Sequence, residues 1–305
     1  MRKRSNPFPG LAVAVLVAVA LLMMAPPTFA ACNVERGKYL FAVAGCAGCH
    51  TDKKSKGALL AGGRKLATPF GVFYSPNITP DPGTGIGRWR DADFIRALRE
   101  GIAPDGSHYF PVFPYPSYTG MTDADLTDIK AYIFTLPAIA KANKPHQVTA
   151  PFGWRFLLPI WKALYFSPGP FRPDAAKGQE WNRGAYLVNA VGHCGECHTP
   201  RDALGGKKTT MALAGTSQGP EGGLIPNITP DKQTGIGRWP DADLEELLQT
   251  GMLPDGDFVG SEMGEVVDQA TSRLSGADRK AIMIYLRSLP AVNNKVESKK
   301  SKKNK

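Results

Sequence analysis

The chain has 305 residues, 33 of them Gly and 26 Pro, which fits two loop-rich globular domains better than long sheets. Its net charge of +10 is concentrated at the ends: residues 1–31 contribute +3 and residues 292–305 contribute +5, leaving +2 for the body. With no basic stripe on the body, a nucleic-acid-binding role is excluded.

In chain order, the basic start RKR precedes the apolar run LAVAVLVAVALLMMA and the small-residue stretch APPTFA, the pattern of a secretory signal over residues 1–31. The run of 15 residues is shorter than the roughly 20 of a spanning helix, so export to the periplasm with removal of the segment is expected. Retention as an anchor is the alternative. Cys32 follows in the sequence FAAC, a loose likeness to a lipoprotein box, which leaves a lipidated and a free or trimmed cysteine both open.

Val34, Leu40 and Val43 mark an opening helix that runs into CAGCH at Cys46–His50. Gly37 on that helix allows another helix to approach closely. Leu126, Ile129, Ile133 and Leu136 recur at helical spacing on a closing helix whose start carries a capping pattern at Thr122 and Asp125. Residues 141–178 are rich in Pro and aromatics, including Trp154, Phe156, Trp161, Tyr165 and Phe166. Packing between two domains is expected for them, with a docking surface for a dehydrogenase as the rival reading.

The pattern then starts again. NITPDPGTGIGRWRDAD at 77–93 recurs as NITPDKQTGIGRWPDAD at 227–243, with 14 of 17 positions identical at an offset of 150. RGKYL is repeated as RGAYL with Gly184 in place of Gly37, and CAGCH as CGECH at Cys194–His198. Both units close on a helical pattern ending in LP, with Tyr132 and Tyr285 as natural packing partners. The chain is a tandem duplication: haem domain 1 over 32–140, the Pro/aromatic segment over 141–178, haem domain 2 over 179–291 and a Lys-rich tail over 292–305, expected to be disordered. No run alternates as a strand should, so the expected fold is all-α.

CxxCH supplies two thiols for thioether bonds to haem vinyl groups and an adjacent His for the iron. Two copies at equivalent places of a repeat predict two covalent haems c, at Cys46, Cys49 and His50 and at Cys194, Cys197 and His198. Zinc would need Cys and His pairs that combine into tetrahedral sites, whereas these lie 148 residues apart in separate repeats. The sixth iron ligand separates an electron carrier, in which Met fills the site, from an enzyme with an open haem. Met121, the one methionine between Cys32 and Phe171, lies just before the first closing helix and is the first candidate, with His108 and His146 as competitors. In the second copy Met263 is preferred over Met211, Met252 and Met283, although the strict counterpart of Met121 is Leu274. Arg88 and Arg238 are candidates to pair with haem propionates, and Trp89 and Trp239 to wall the pockets. A purely architectural role for that loop is an equal alternative.

These motifs, with DGSHYFPVFPYPSYTGMTDADL, WNRGAYLVNAVGHCGECHTPRD and YLRSLP, resemble the cytochrome c subunits of membrane-bound alcohol and gluconate dehydrogenases over about residues 34–291. The resemblance implies class I cytochrome c domains. It also implies a dehydrogenase as electron donor, the quinone pool or a terminal oxidase or cytochrome as acceptor, and Met121 and Met263 as ligands. Larger members carry a third haem domain and a C-terminal anchor, and no third CxxCH occurs in this sequence. The expected function is thus electron transfer without substrate chemistry. The competing reading is a di-haem peroxidase or sulfur-compound oxidoreductase.

Overall fold

The computed structural model describes residues 32–219 and 222–297; the segment expected to be a signal and all but the first residues of the Lys-rich tail lie outside them. Residues from Asn33 onward form one unit.

Helix α1 (Val34–Val43) is capped by Asn33, whose side chain accepts from Arg36 N, and buries Gly37, Leu40, Phe41 and Val43. It crosses α5 (Asp123–Ile133), where Thr122 caps by accepting from Asp125 N. The crossing is close because Gly37 has no side chain: a Cβ there would lie 2.0 Å from Asp128 O. The second copy repeats the design. α7 (Gln179–Tyr186) crosses α11 (Gly276–Arg287), Ser275 provides the cap, and a Cβ on Gly184 would lie 1.9 Å from Ala281 O. Tyr132 packs edge-on against Phe41 at 5.1 Å and Tyr285 against Trp181 at 5.2 Å, so both tyrosines close the same crossing.

The all-α expectation is corrected. β1 (Lys65–Thr68), β2 (Gly71–Tyr74) and β3 (Gln147–Val148) form an antiparallel sheet in the order β1-β2-β3, with Lys65 opposite Tyr74 and Gly71 opposite Val148. Four-residue strands are too short to show alternation, and β3 comes from the segment between the copies. The sheet rests on a small core of Phe73, Phe110 and Leu158. In the second copy the corresponding stretch holds only the bridge Thr216–Ile225 among the described residues.

The two copies share one continuous apolar core that runs from Leu40 and Ile129 through Met121 to Tyr186, Val188 and Ile282. Their contact is isologous, as across a two-fold axis. Tyr39 of the first opening helix donates to Asp278 of the second closing helix at 2.6 Å, and the equivalent Tyr186 donates to Asp125 of the first. The intervening segment divides. Trp161 Nε1 donates to Leu204 O at 2.9 Å, Phe166 packs on Tyr115 and Phe171 on Tyr186, while Trp154 and Phe156 point outward.

Candidate haem-attachment sites

The first opening helix ends at Ala44, and Gly45 at φ 65° turns the chain into the short helix α2 (Cys46–His50). In the second copy the helix continues as a π-turn over Leu187–Val191, His193 takes φ 40°, and α8 (Gly195–His198) follows. The two routes deliver the same geometry. His50 Nδ1 lies 2.8 Å from Pro76 O and His198 Nδ1 lies 2.9 Å from Pro226 O. A carbonyl only accepts, so Nδ1 carries the proton and Nε2 presents its lone pair. Burial pushes both imidazoles below their ordinary pKa, which keeps them neutral, the form a metal takes. Burial also pushes the Cys46 and Cys194 thiols up to about 12 and Cys197 to about 11. Such surroundings disfavour the free thiolates that a zinc site needs and suit sulfur held in a neutral thioether. Among the described residues no three His, Cys, Asp or Glu side chains converge as a metal site. The donor set therefore fits haem c at both motifs: paired thiols, a neutral His with one nitrogen free, and apolar residues such as Leu60 and Leu213 alongside.

Met121 is fully buried in the same apolar cluster as Cys46 and Leu60. Its carbonyl accepts from Arg99 Nη2 at 2.9 Å, which fixes the turn before α5. The second copy differs. Met263 is half-buried on α10 (Ser261–Gln269), and Leu274, 4 % exposed, fills the position that corresponds to Met121. Met252 is exposed, Met211 is half-buried and Met283 packs on the core from the closing helix. The competing histidines belong to the sheet region: His146 Nδ1 accepts from Tyr74 N at 3.2 Å, and His108 O accepts from Arg155.

Arg88 and Arg238 are exposed, whereas Trp89 and Trp239 pack on the core. Their loop is tied internally and to the chain leaving each closing helix. Asn77 Nδ2 donates to Thr84 Oγ1 and to Ile139 O, and Asn227 Nδ2 donates to Thr234 Oγ1 and to Val292 O. Gly85 and Gly235 are required by the loop's own backbone, since a Cβ would lie 2.1 and 2.2 Å from Thr79 O and Thr229 O. An architectural role thus accounts for the Asn, Thr and Gly of this motif.

Sequence reasoning missed how each copy lies on the other's attachment loop. Ser117 Oγ donates to Glu196 of CGECH at 2.6 Å, and Lys207 and Arg201 close on the same carboxylate. Burial pushes that carboxyl up, but the Lys207 and Arg201 charges outweigh it and bring its pKa down to about 2. Reciprocally, Glu265 of the second copy pairs at 2.7 Å with Arg64, which also donates to Gly48 O of CAGCH. Between the loops, Ala44 O accepts from Tyr118 Oη at 2.6 Å and lies 3.3 Å from His193 Nε2. The one signal in the sequence was the unlike pair Gly48 and Glu196 at the same place in the two motifs.

A cytochrome c family model matches residues 34–137. A diheme cytochrome c-type protein of Cereibacter sphaeroides is 42 % identical over 295 residues, covering 93 % of this chain and 97 % of the relative. The fructose dehydrogenase cytochrome subunit of Gluconobacter japonicus is 41 % identical over 261 residues, covering 85 % of this chain and 53 % of its own length. The gluconate 2-dehydrogenase cytochrome c subunit of Pantoea cypripedii is 39 % identical over 267 residues, covering 85 % of this chain and 60 % of its own length. Against those dehydrogenase subunits the chain therefore spans between half and two thirds of the relative.

Proposed function

Because the chain belongs to the di-haem c-type cytochromes, we propose that it takes electrons from a periplasmic or membrane-bound dehydrogenase of the alcohol or sugar-acid type and passes them to the quinone pool or to a terminal oxidase or cytochrome. The observation that carries this is the matched pair His50–Pro76 and His198–Pro226, which holds two neutral imidazoles in the same tautomer beside paired cysteines. The bound haems supply one-electron redox chemistry. The protein's part is to fix each imidazole, keep water from the buried faces and supply a second ligand. Met121, buried beside the first motif, fits that role; Met263, on α10, is the candidate in the second copy. Arg88 and Arg238 are exposed on loops whose Trp89 and Trp239 line the core, placements that suit propionate pairing. Residues 1–31 are read as an export signal, and the periplasm as the compartment.

The rival reading, a di-haem enzyme with one open haem, draws on Leu274 standing where Met121 stands in the first copy. Spectra separate the two. A carrier shows low-spin ferric haems at both sites and no rapid carbon monoxide binding after reduction. A high-spin haem that binds carbon monoxide would overturn the carrier assignment. Reduction of the purified protein by the dehydrogenase that copurifies with it tests the donor.

A further inference from the structure

The segment joining the two copies holds an outward apolar face that the haem sites leave without a role. Trp154 is 51 % exposed, Phe156 70 %, Ile160 59 % and Leu164 63 %. The four are contiguous: Trp154 stacks on Phe156 at 5.7 Å, and Phe156, Ile160 and Leu164 follow at helical spacing on and just before α6 (Leu158–Tyr165). The face is held rigidly from beneath. Leu158 is buried under the sheet, Trp161 donates to Leu204 O, and Lys162 Nζ donates to Glu100 O and Gly101 O. Clamping a helix so that its large apolar side chains point outward serves no folding purpose of its own.

Charge identifies the occupant. Between Ile133 and Asp174 the chain has five basic residues, Lys141, Lys144, Arg155, Lys162 and Arg172, and no acidic one, while the rest of the body is net acidic. Of these, Lys162 is held beneath the face by Glu100 O and Gly101 O. The carboxylates that approach the segment from other elements are few: Asp105 near Arg155, Asp202 near Tyr165 and Glu100 near Lys162. An apolar face of Trp, Phe, Ile and Leu set in an acid-free basic segment is the composition of a surface that lies in the headgroup region of an anionic bilayer. A protein interface of this kind would call for about one hydrogen bond per 100–200 Å², and of these four side chains only Trp154 has a polar atom to give.

We propose that the Trp154–Leu164 face docks this cytochrome onto an anionic phospholipid surface, its apolar side chains at the headgroup–acyl boundary. The dock is carried by residues 154–164, which belong to the unit that begins at Asn33.

The test uses the haem-loaded chain without residues 1–32 and vesicles of phosphatidylglycerol and phosphatidylethanolamine, with phosphatidylcholine vesicles as control. Sedimentation is followed by haem absorbance. At about 0.1 M sodium chloride, where the contribution of the Lys-rich tail is common to every variant, the unaltered chain is expected to sediment with the anionic vesicles and less with phosphatidylcholine. Phe156→Ser with Ile160→Ser should lower that partition about a hundredfold, and Leu164→Ser alone about tenfold. All three positions are exposed, so the haem spectrum and thermal midpoint should stay unchanged. Failure of the unaltered chain to sediment, or equal sedimentation of the variants, overturns the proposal. So does a variant that sediments normally but is no longer reduced by its dehydrogenase, which would make the face a protein interface.

Discussion

Tyr39 donates to Asp278 Oδ2 at 2.6 Å across the junction between the copies, and Tyr186 mirrors it on Asp125. Each bond joins the opening helix of one copy to the closing helix of the other, so the pair works as a lock on their mutual orientation. A hydrogen bond to a charged group is worth about 1.5–3 kcal/mol. Tyr39→Phe keeps the ring and should destabilise the protein by about that amount, as should Tyr186→Phe. Urea unfolding followed at both haem absorbance and far-ultraviolet circular dichroism checks this. One shared core predicts a single coincident transition; two separated transitions would show that the copies unfold independently.

Asp278 gives the same junction a pH dependence. Burial pushes its carboxyl up, but hydrogen bonds from Arg183 and Tyr39 outweigh this and hold it below the usual carboxylate range. A carboxyl depressed on folding adds stability that is present above the unfolded pKa of about 3.9 and is lost as pH falls through the lower folded value. The urea midpoint should therefore drop below about pH 4, and Asp278→Asn should flatten that limb while lowering the plateau. An unchanged acid limb in the variant would remove Asp278 as its source.

The helix crossings tolerate no side chain. At Gly184 a Cβ would meet the Ala281 carbonyl at 1.9 Å, and at Gly37 the Asp128 carbonyl at 2.0 Å, and backbone atoms of packed helices cannot swing aside. Gly184→Ala and Gly37→Ala should each cost about 3 kcal/mol or more, the upper range of overpacking. Gly83→Ala, where the backbone needs no positive φ and a Cβ meets only Asp81 Oδ1 at 3.5 Å, is the control and should be nearly neutral. Thermal midpoints of the three variants decide the matter.

What the sequence disclosed, and what it withheld, follows from the range of the interactions. The CxxCH motifs and the duplication are local patterns, and so are the Gly37 and Gly184 crossings and the cap at Thr122, which the structure has as read; the cap at Ser275 was not read. The sheet was hidden because β1 and β2 have four residues each and β3 has two, and its third strand is borrowed from the segment after the closing helix. The junction was hidden because it pairs residues far apart: Tyr39 with Asp278, Ser117 with Glu196, Arg64 with Glu265. Nothing in a one-dimensional pattern marks a tyrosine as donating across a repeat. The inequality of the two haem surroundings was legible, since Leu274 is the counterpart of Met121, and the structure adds that Leu274 is buried there.

That inequality sets the last prediction. Met121 is fully buried in the cluster that holds Cys46, whereas Met263 is half-buried on α10, outside the core. A thioether ligand favours the reduced iron and raises the potential. Met121→Ala should lower the midpoint potential of one haem, open it to carbon monoxide and leave the other unchanged. Met263→Ala should do the same to the second haem. Because a half-buried ligand on α10 is less firmly held than one packed on all sides, the second haem of the unaltered protein should be the first to lose its methionine on mild warming. Absorbance of the methionine–iron band near neutral pH, read against temperature in both variants, assigns each loss to its site. If Met263→Ala leaves both potentials and the band intact, Met263 is not a ligand, and Met211, Met252 and Met283 should be replaced in turn.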